Sequence, residues 1–202
     1  MPTPQKSDVF KKTYKQYLSE ITEKNLSSRQ KILGITAEDE EIRIPFFGKS
    51  YRVSSAGIMN PSGKTPRFDI CVILCKYLLL CPDAVPKGED WISYRDSRDA
   101  GPLTKYFSDN VENAIARRFS GKPGALAEKC EQRGGKPPDI ELSYDLAMQF
   151  DMLPRVPLLL LFNDADEDFP AQCSVLFRKN GDKYLDPECL AMLGAFLATN
   201  LK

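Results

Sequence analysis

The pentapeptide Trp91-Ile92-Ser93-Tyr94-Arg95 sets the only tryptophan of the chain close to a guanidinium that can bind an anion. An aromatic face beside such a cation can wall a small-ligand pocket. The same five residues equally suit a strand that packs Trp91 inward and pairs Arg95 with a carboxylate. Asp145 and the Gly134-Gly135 pair are further ligand-binding candidates for the same site. No residue of the set has neighbours that name a reaction, so catalytic residues stay unassigned.

Other patterns fail on spacing or residue type. Gly57, Gly63-Lys64-Thr65 and the apolar run ending at Asn163-Asp164 imitate the two halves of a P-loop nucleotide site. A phosphate cradle needs four residues between its glycines; five stand here, and one is Pro61. Cys71, Cys75 and Cys81 lie along one apolar stretch, where a free thiol packs as a small hydrophobe. Metal-binding cysteines usually come two apart at loop turns. Asp164, Asp166 and Asp168 alternate as calcium ligands do, but Phe169 and Val175 occupy the positions where an EF-hand loop needs Gly and Glu. The chain also has no histidine. That removes Ser-His-Asp and Cys-His catalysis, and imidazole ligation of zinc or haem. No metal site is expected, and the residues name no cofactor.

Composition narrows the class further. The 28 basic and 28 acidic residues cancel, whereas nucleic-acid binders usually carry a basic excess to neutralise phosphate. Neither nucleic acid nor a membrane surface is an expected partner. The most apolar window, Ile70 to Cys81, contains Lys76 and is too short to span a bilayer. The N-terminus has no apolar signal region. A cytoplasmic protein with six free thiols is the expectation. Acidic runs at 38–41 and 164–168 read as solvated loops.

These residues need elements to hold them. A first helix, capped at Ser7, runs to about Asn25 with Phe10, Tyr14, Tyr17, Leu18 and Ile21 on one face. Residues 41–47 and 49–54 alternate as two hairpin strands around Gly48, and 57–65 reads as a loop. Thr65-Pro66 opens a helix to Cys81 that is apolar almost all round, hence buried. Residues 90–95 suit a short strand, 103–119 a helix, and 125–132 a short helix ended by the glycine pair. Leu146 to Met152 alternates, Val156 to Phe162 is continuously apolar, and Cys173 to Phe177 is a further strand. Asp186-Pro187-Glu188 starts a last helix to Leu201. The expectation is one α+β domain over 1–202, with residues 1–26 as a candidate peripheral arm. A mostly antiparallel sheet carries the buried central helix and the C-terminal helix.

Several segments in this order carry a likeness: Phe47-Gly48-Lys49-Ser50-Tyr51-Arg52-Val53, Ile73-Leu74-Cys75-Lys76-Tyr77-Leu78, Trp91-Ile92-Ser93-Tyr94-Arg95, Gly134-Gly135, Phe169-Pro170-Ala171, Leu176-Phe177 and Tyr184-Leu185. With these the chain resembles a bacterial and archaeal family, mostly from anaerobes, catalogued only as a domain of unknown function. Some members carry a cysteine-rich iron–sulfur domain at their N-terminus; no cysteine precedes Cys71 here, so no cluster carries over. Arg178 stands where the family pattern has an acid. The resemblance implies an accessory or small-ligand-binding protein of anaerobic redox or one-carbon metabolism, serving a redox or corrinoid protein. The alternative is a small-molecule enzyme with a pocket around Trp91 and Arg95.

Overall fold

The computed structural model describes residues 4–38 and 41–202, with side chains from Lys11 onward. Helix α1 (Pro4–Glu23) begins before Ser7, which therefore lies inside the helix instead of capping it. The Phe10 side chain and half of the acidic run at 38–41 fall outside the described residues. Leu18 and Ile21 are buried, with Tyr14 and Tyr17 packed beside them, and the short helix α2 (Gln30–Leu33) follows.

The first sheet is an antiparallel meander of β1 (Thr36–Glu38), β2 (Glu41–Phe46), β3 (Lys49–Ser54) and β4 (Gly57–Met59). Its alternation is the expected one: Ile44, Phe46, Tyr51 and Val53 are buried, while Arg43, Pro45 and Arg52 face water. The hairpin turn is Phe47-Gly48, with φ of 47° and 72°. A two-residue turn matching strand twist needs two left-handed residues, and a phenylalanine there is strained. The Phe47 N–H donates to Met152 O at 2.9 Å, which ties the turn to the second sheet. The segment 57–65, expected as a loop, instead begins with β4. The Tyr14 hydroxyl accepts a hydrogen bond from Ile58 N at 2.8 Å and so covers part of that strand.

Helix α3 (Phe68–Leu79) is buried on most sides, as its all-round apolar pattern requires. It starts three residues after Thr65, because the Cys71 N–H closes its bond on Arg67 O. Arg67 sits at the cap position without a side-chain cap, and Asp69 supplies the negative charge of the first turn.

The second sheet has the order β5-β8-β7-β6 and is antiparallel throughout. Its strands are β5 (Trp91–Ser93), β6 (Leu146–Leu153), β7 (Val156–Asn163) and β8 (Gln172–Arg178). Six of the eight β7 residues are buried, so this strand is covered on both faces. The fold is α+β, with its antiparallel strands divided between two sheets. Helix α7 (Pro187–Asn200) starts as expected: Asp186 Oδ1 accepts from Cys189 N at 2.9 Å. Asp186 also holds Lys76 of α3 at 3.2 Å, joining the two core helices. One contiguous apolar cluster reaches from Leu18 to Leu201. Among the described residues, no helix is long and apolar enough to cross a membrane.

The stretch expected as one helix over 103–119 is not regular. A 3-10 turn at Gly101–Leu103 leads into α4 (Thr104–Phe107), a π-helical turn over Ser108–Glu112, and α5 (Asn113–Phe119). After it comes α6 (Pro123–Gln132), two residues longer at its start than expected.

Candidate functional site

A cleft of about 480 Å³ opens where the chain leaves β5 and meets the α4–π segment. Strand β5 stops at Ser93, and Tyr94–Asp96 forms a 3-10 turn stapled by Ser93 Oγ donating to Asp96 at 2.6 Å. That turn buries Tyr94 and leaves Arg95 exposed at the cleft. The Tyr94 ring stacks on Phe107 at 4.4 Å and 11°, and its hydroxyl donates to Pro187 O at 2.9 Å. Together these two rings form a rigid floor.

The opposite wall comes from the π turn. A side chain repeating every four residues drifts about 40° per step around an α-helix. Phe107, Val111, Ile115 and Phe119 repeat so, yet all four are buried. A turn with i→i+5 bonds is wider and absorbs that drift. It also brings Glu112 to the cleft, half-buried, with Oε1 accepting from Val175 N at 3.2 Å. Val175 lies on β8 past the end of the short strand β5, where the β8 edge would otherwise be unpaired. Burial pushes the Glu112 carboxyl above its ordinary range, and the Val175 N–H and the Arg95 charge pull it back only in part. Lys105 and Asp109 pair across one turn at 2.7 Å on the rim. Each reinforces the other's charge: the lysine pKa is raised and the aspartate pKa lowered. The cleft thus offers a guanidinium, the Lys105–Asp109 ion pair, a half-buried carboxylate and hydroxyls around an aromatic floor.

The five sequence candidates are not brought together. Arg95 lines this cleft, but Trp91 does not. Trp91 pairs across the sheet with Arg178, whose guanidinium lies 4.0 Å from its ring centre, and Arg178 also donates to Glu89 O. The arginine that covers the tryptophan is therefore Arg178, the turn after Ser93 having carried Arg95 elsewhere. Asp145 is at the diagonally opposite corner of the sheet. It precedes β6 on the far edge and ties the strand ends there, accepting from Asp164 N at 2.7 Å. Gly134 takes the left-handed position after α6, with φ of 80°, and Gly135 N closes on Cys130 O at 2.8 Å, ending the helix as the sequence implied. The pair is remote from Arg95 in the fold and lies near the Phe47 turn.

The rejected patterns have structural explanations. Asn60 Oδ1 accepts from Ser62 N and Lys64 N, both at 3.0 Å, so the loop amides that would cradle phosphate are already used. Cys71, Cys75, Cys130 and Cys189 are buried free thiols, their pKa values raised by desolvation, whereas Cys81, expected on the same buried helix, lies past its end at Leu79 and is only partly buried. Asp164 caps Gly121 N at 2.7 Å, and Asp166 closes a tight turn by accepting from Asp168 N and Phe169 N. Among the described residues, no group of three or more Cys, Asp or Glu is placed to hold a metal ion.

The model of the family described as Domain of unknown function (DUF3786) matches residues 25–200. The chain belongs to this family. The family segment contains both sheets and the whole Arg95 cleft, and it begins just after α1. No curated protein and no solved structure matches the chain.

Sequence reasoning missed Glu112, Lys105 and the Tyr94–Phe107 floor. The signal was present in the four-residue spacing from Phe107 to Phe119, which drifts around a regular α-helix and is straightened by a π turn.

Proposed function

We propose that this family domain binds a small polar metabolite in the Arg95 cleft. The observation that carries the reading is the half-buried Glu112 facing the same cleft as the exposed Arg95 and Lys105. Opposite charges so arranged suit a ligand with an anionic group at one end and a hydrogen-bond donor at the other, such as an amino or hydroxy acid. The aromatic floor, itself buried, would hold the surrounding polar groups in place. Trp91, Asp145, Gly134 and Gly135 stand outside this reading.

The continuous core supports a chain that acts as one domain. The family likeness supports a cytoplasmic accessory role near anaerobic redox or one-carbon metabolism, with a redox or corrinoid protein as partner. A second reading, enzymatic, is favoured by one feature: a carboxyl whose pKa is raised by burial is poised for proton transfer. The test is calorimetry with a panel of amino and hydroxy acids on the wild type, R95A and E112Q. Saturable binding lost in both variants, with melting temperatures near wild type, supports the cleft. Binding that survives both variants rejects it, and turnover of a bound ligand that stops in E112Q selects the enzyme. Anaerobic purification followed by an absorbance spectrum reports any coloured redox cofactor.

A further inference from the structure

A second cleft, of about 330 Å³, lies where the Phe47 turn meets the ends of α6 and α7. It shares no lining residue with the Arg95 cleft. Four rings build its apolar side. Phe47 meets Phe196 edge-on at 5.4 Å and 87°, Phe46 lies 5.1 Å from Phe196, and Phe46 meets Tyr51 at 5.7 Å and 80°. Phe46 and Tyr51 are buried, but Phe47 and Phe196 are only partly covered, so their surfaces are open to a ligand.

The polar side is cationic. Lys49 and Arg133 are exposed on opposite flanks, one at the start of β3 and the other at the end of α6. Arg133 Nε donates to Asn200 O at 3.0 Å, which steadies the guanidinium at the C-terminal end of α7. Among the described residues, no aspartate or glutamate lines the cleft, in a chain whose charges otherwise cancel. Two like charges held near exposed rings attract an anion and repel a cation, so an aromatic cage for an ammonium group is disfavoured.

Among the described residues, one of two left-handed non-glycine residues, the other being Asp99, lies at the same place. Phe47 holds φ of 47°, a region bulky residues avoid and one found mostly where a function requires it. The alternative residues, Asn or Gly, would relax the turn but provide no ring.

We infer that this cleft is a binding site for a small planar aromatic anion, its ring against Phe47 and Phe196 and its acid group between Lys49 and Arg133. The size matches a ligand of one or two fused rings. The site stands independently of the Arg95 reading, and either can fail alone.

The test uses the full-length protein and anilinonaphthalene sulfonate as the probe, followed by fluorescence and by amide NMR. The expected result is saturable one-to-one binding, with the largest amide shifts at Gly48 and Gly134. The double variant K49Q/R133Q should weaken binding about tenfold or more, since the two exposed charged contacts together are worth about that much. R95Q should leave the affinity unchanged, and a naphthyl trimethylammonium salt should not compete. If R133Q lowers the melting temperature, K49Q alone carries the comparison. The inference is overturned if the probe does not saturate, if K49Q and K49Q/R133Q bind as wild type, or if the shifts gather around Arg95.

Discussion

The cleft beside Arg95 presents a half-buried carboxylate on a widened helical turn, whereas the cleft at the sheet junction presents aromatic rings between two exposed cations. Both lie at irregularities of the backbone, one a π turn and the other a left-handed phenylalanine. They differ in how the irregularity is held. The π turn is supported from below by the packing of Phe107 on Tyr94, Phe177 and α7. The Phe47 turn is held by the flanking Phe46–Lys49 pair, the backbone hydrogen bond to Met152 and its own ring contacts. The first should therefore depend on core packing and the second on local contacts.

The largest expected effect is at Gly194, beneath the first cleft. A Cβ there would come within 2.3 Å of the Phe107 ring. G194A should lower stability by about 2–3 kcal/mol in urea unfolding, as overpacking does, and should disturb the Arg95 cleft while sparing the Phe47 cleft. Equal disturbance of both would break the contrast. Next is Glu112. E112L leaves the Val175 N–H unpaired and should cost about 1–2 kcal/mol. E112Q retains an acceptor and removes a half-buried charge, so it should match or exceed wild-type stability in the same measurement.

The pH dependence sharpens this point. Glu112 has a folded pKa above its ordinary 4.5. Its contribution to stability is fully present below that value and is lost as pH rises through the folded pKa. E112Q should therefore flatten the stability curve from pH 4.5 upward. The core thiols act later in the same direction. Cys71 is pushed from 9.0 to about 11, and Cys75 and Cys130 to about 12. Their stabilising effect is complete below pH 9.0 and falls as pH rises beyond it, which unfolding curves at pH 8 and above can check. The smallest effect belongs to the second cleft: K49Q should change stability by less than about 0.5 kcal/mol, although it is expected to weaken probe binding.

Much of the fold was legible because it rests on periodicity. The alternation of Ile44, Phe46, Tyr51 and Val53 located one hairpin, the unbroken apolar run from Val156 to Phe162 located the central strand, and Asp186-Pro187 marked a helix start. The site was less legible. Arg95 is legible as a candidate, but a pocket shared with Trp91 requires two side chains close in sequence to stay together in space. The chain turns after Ser93, and proximity in sequence is lost within one 3-10 turn.

By itself, then, the sequence determined which segments must be buried, that Cys71 and Cys75 stay in the core, and that histidine chemistry is absent. Those outcomes follow from residue type and local spacing. Tertiary structure decided that the strands divide into two sheets, that Arg178 and not Arg95 covers Trp91, and that Glu112 shares a cleft with Arg95. Each of these depends on how distant segments meet: Val175 and Glu112 are 63 residues apart in the chain. No local pattern encodes such a contact, because it is the shared burial of both segments that brings them together.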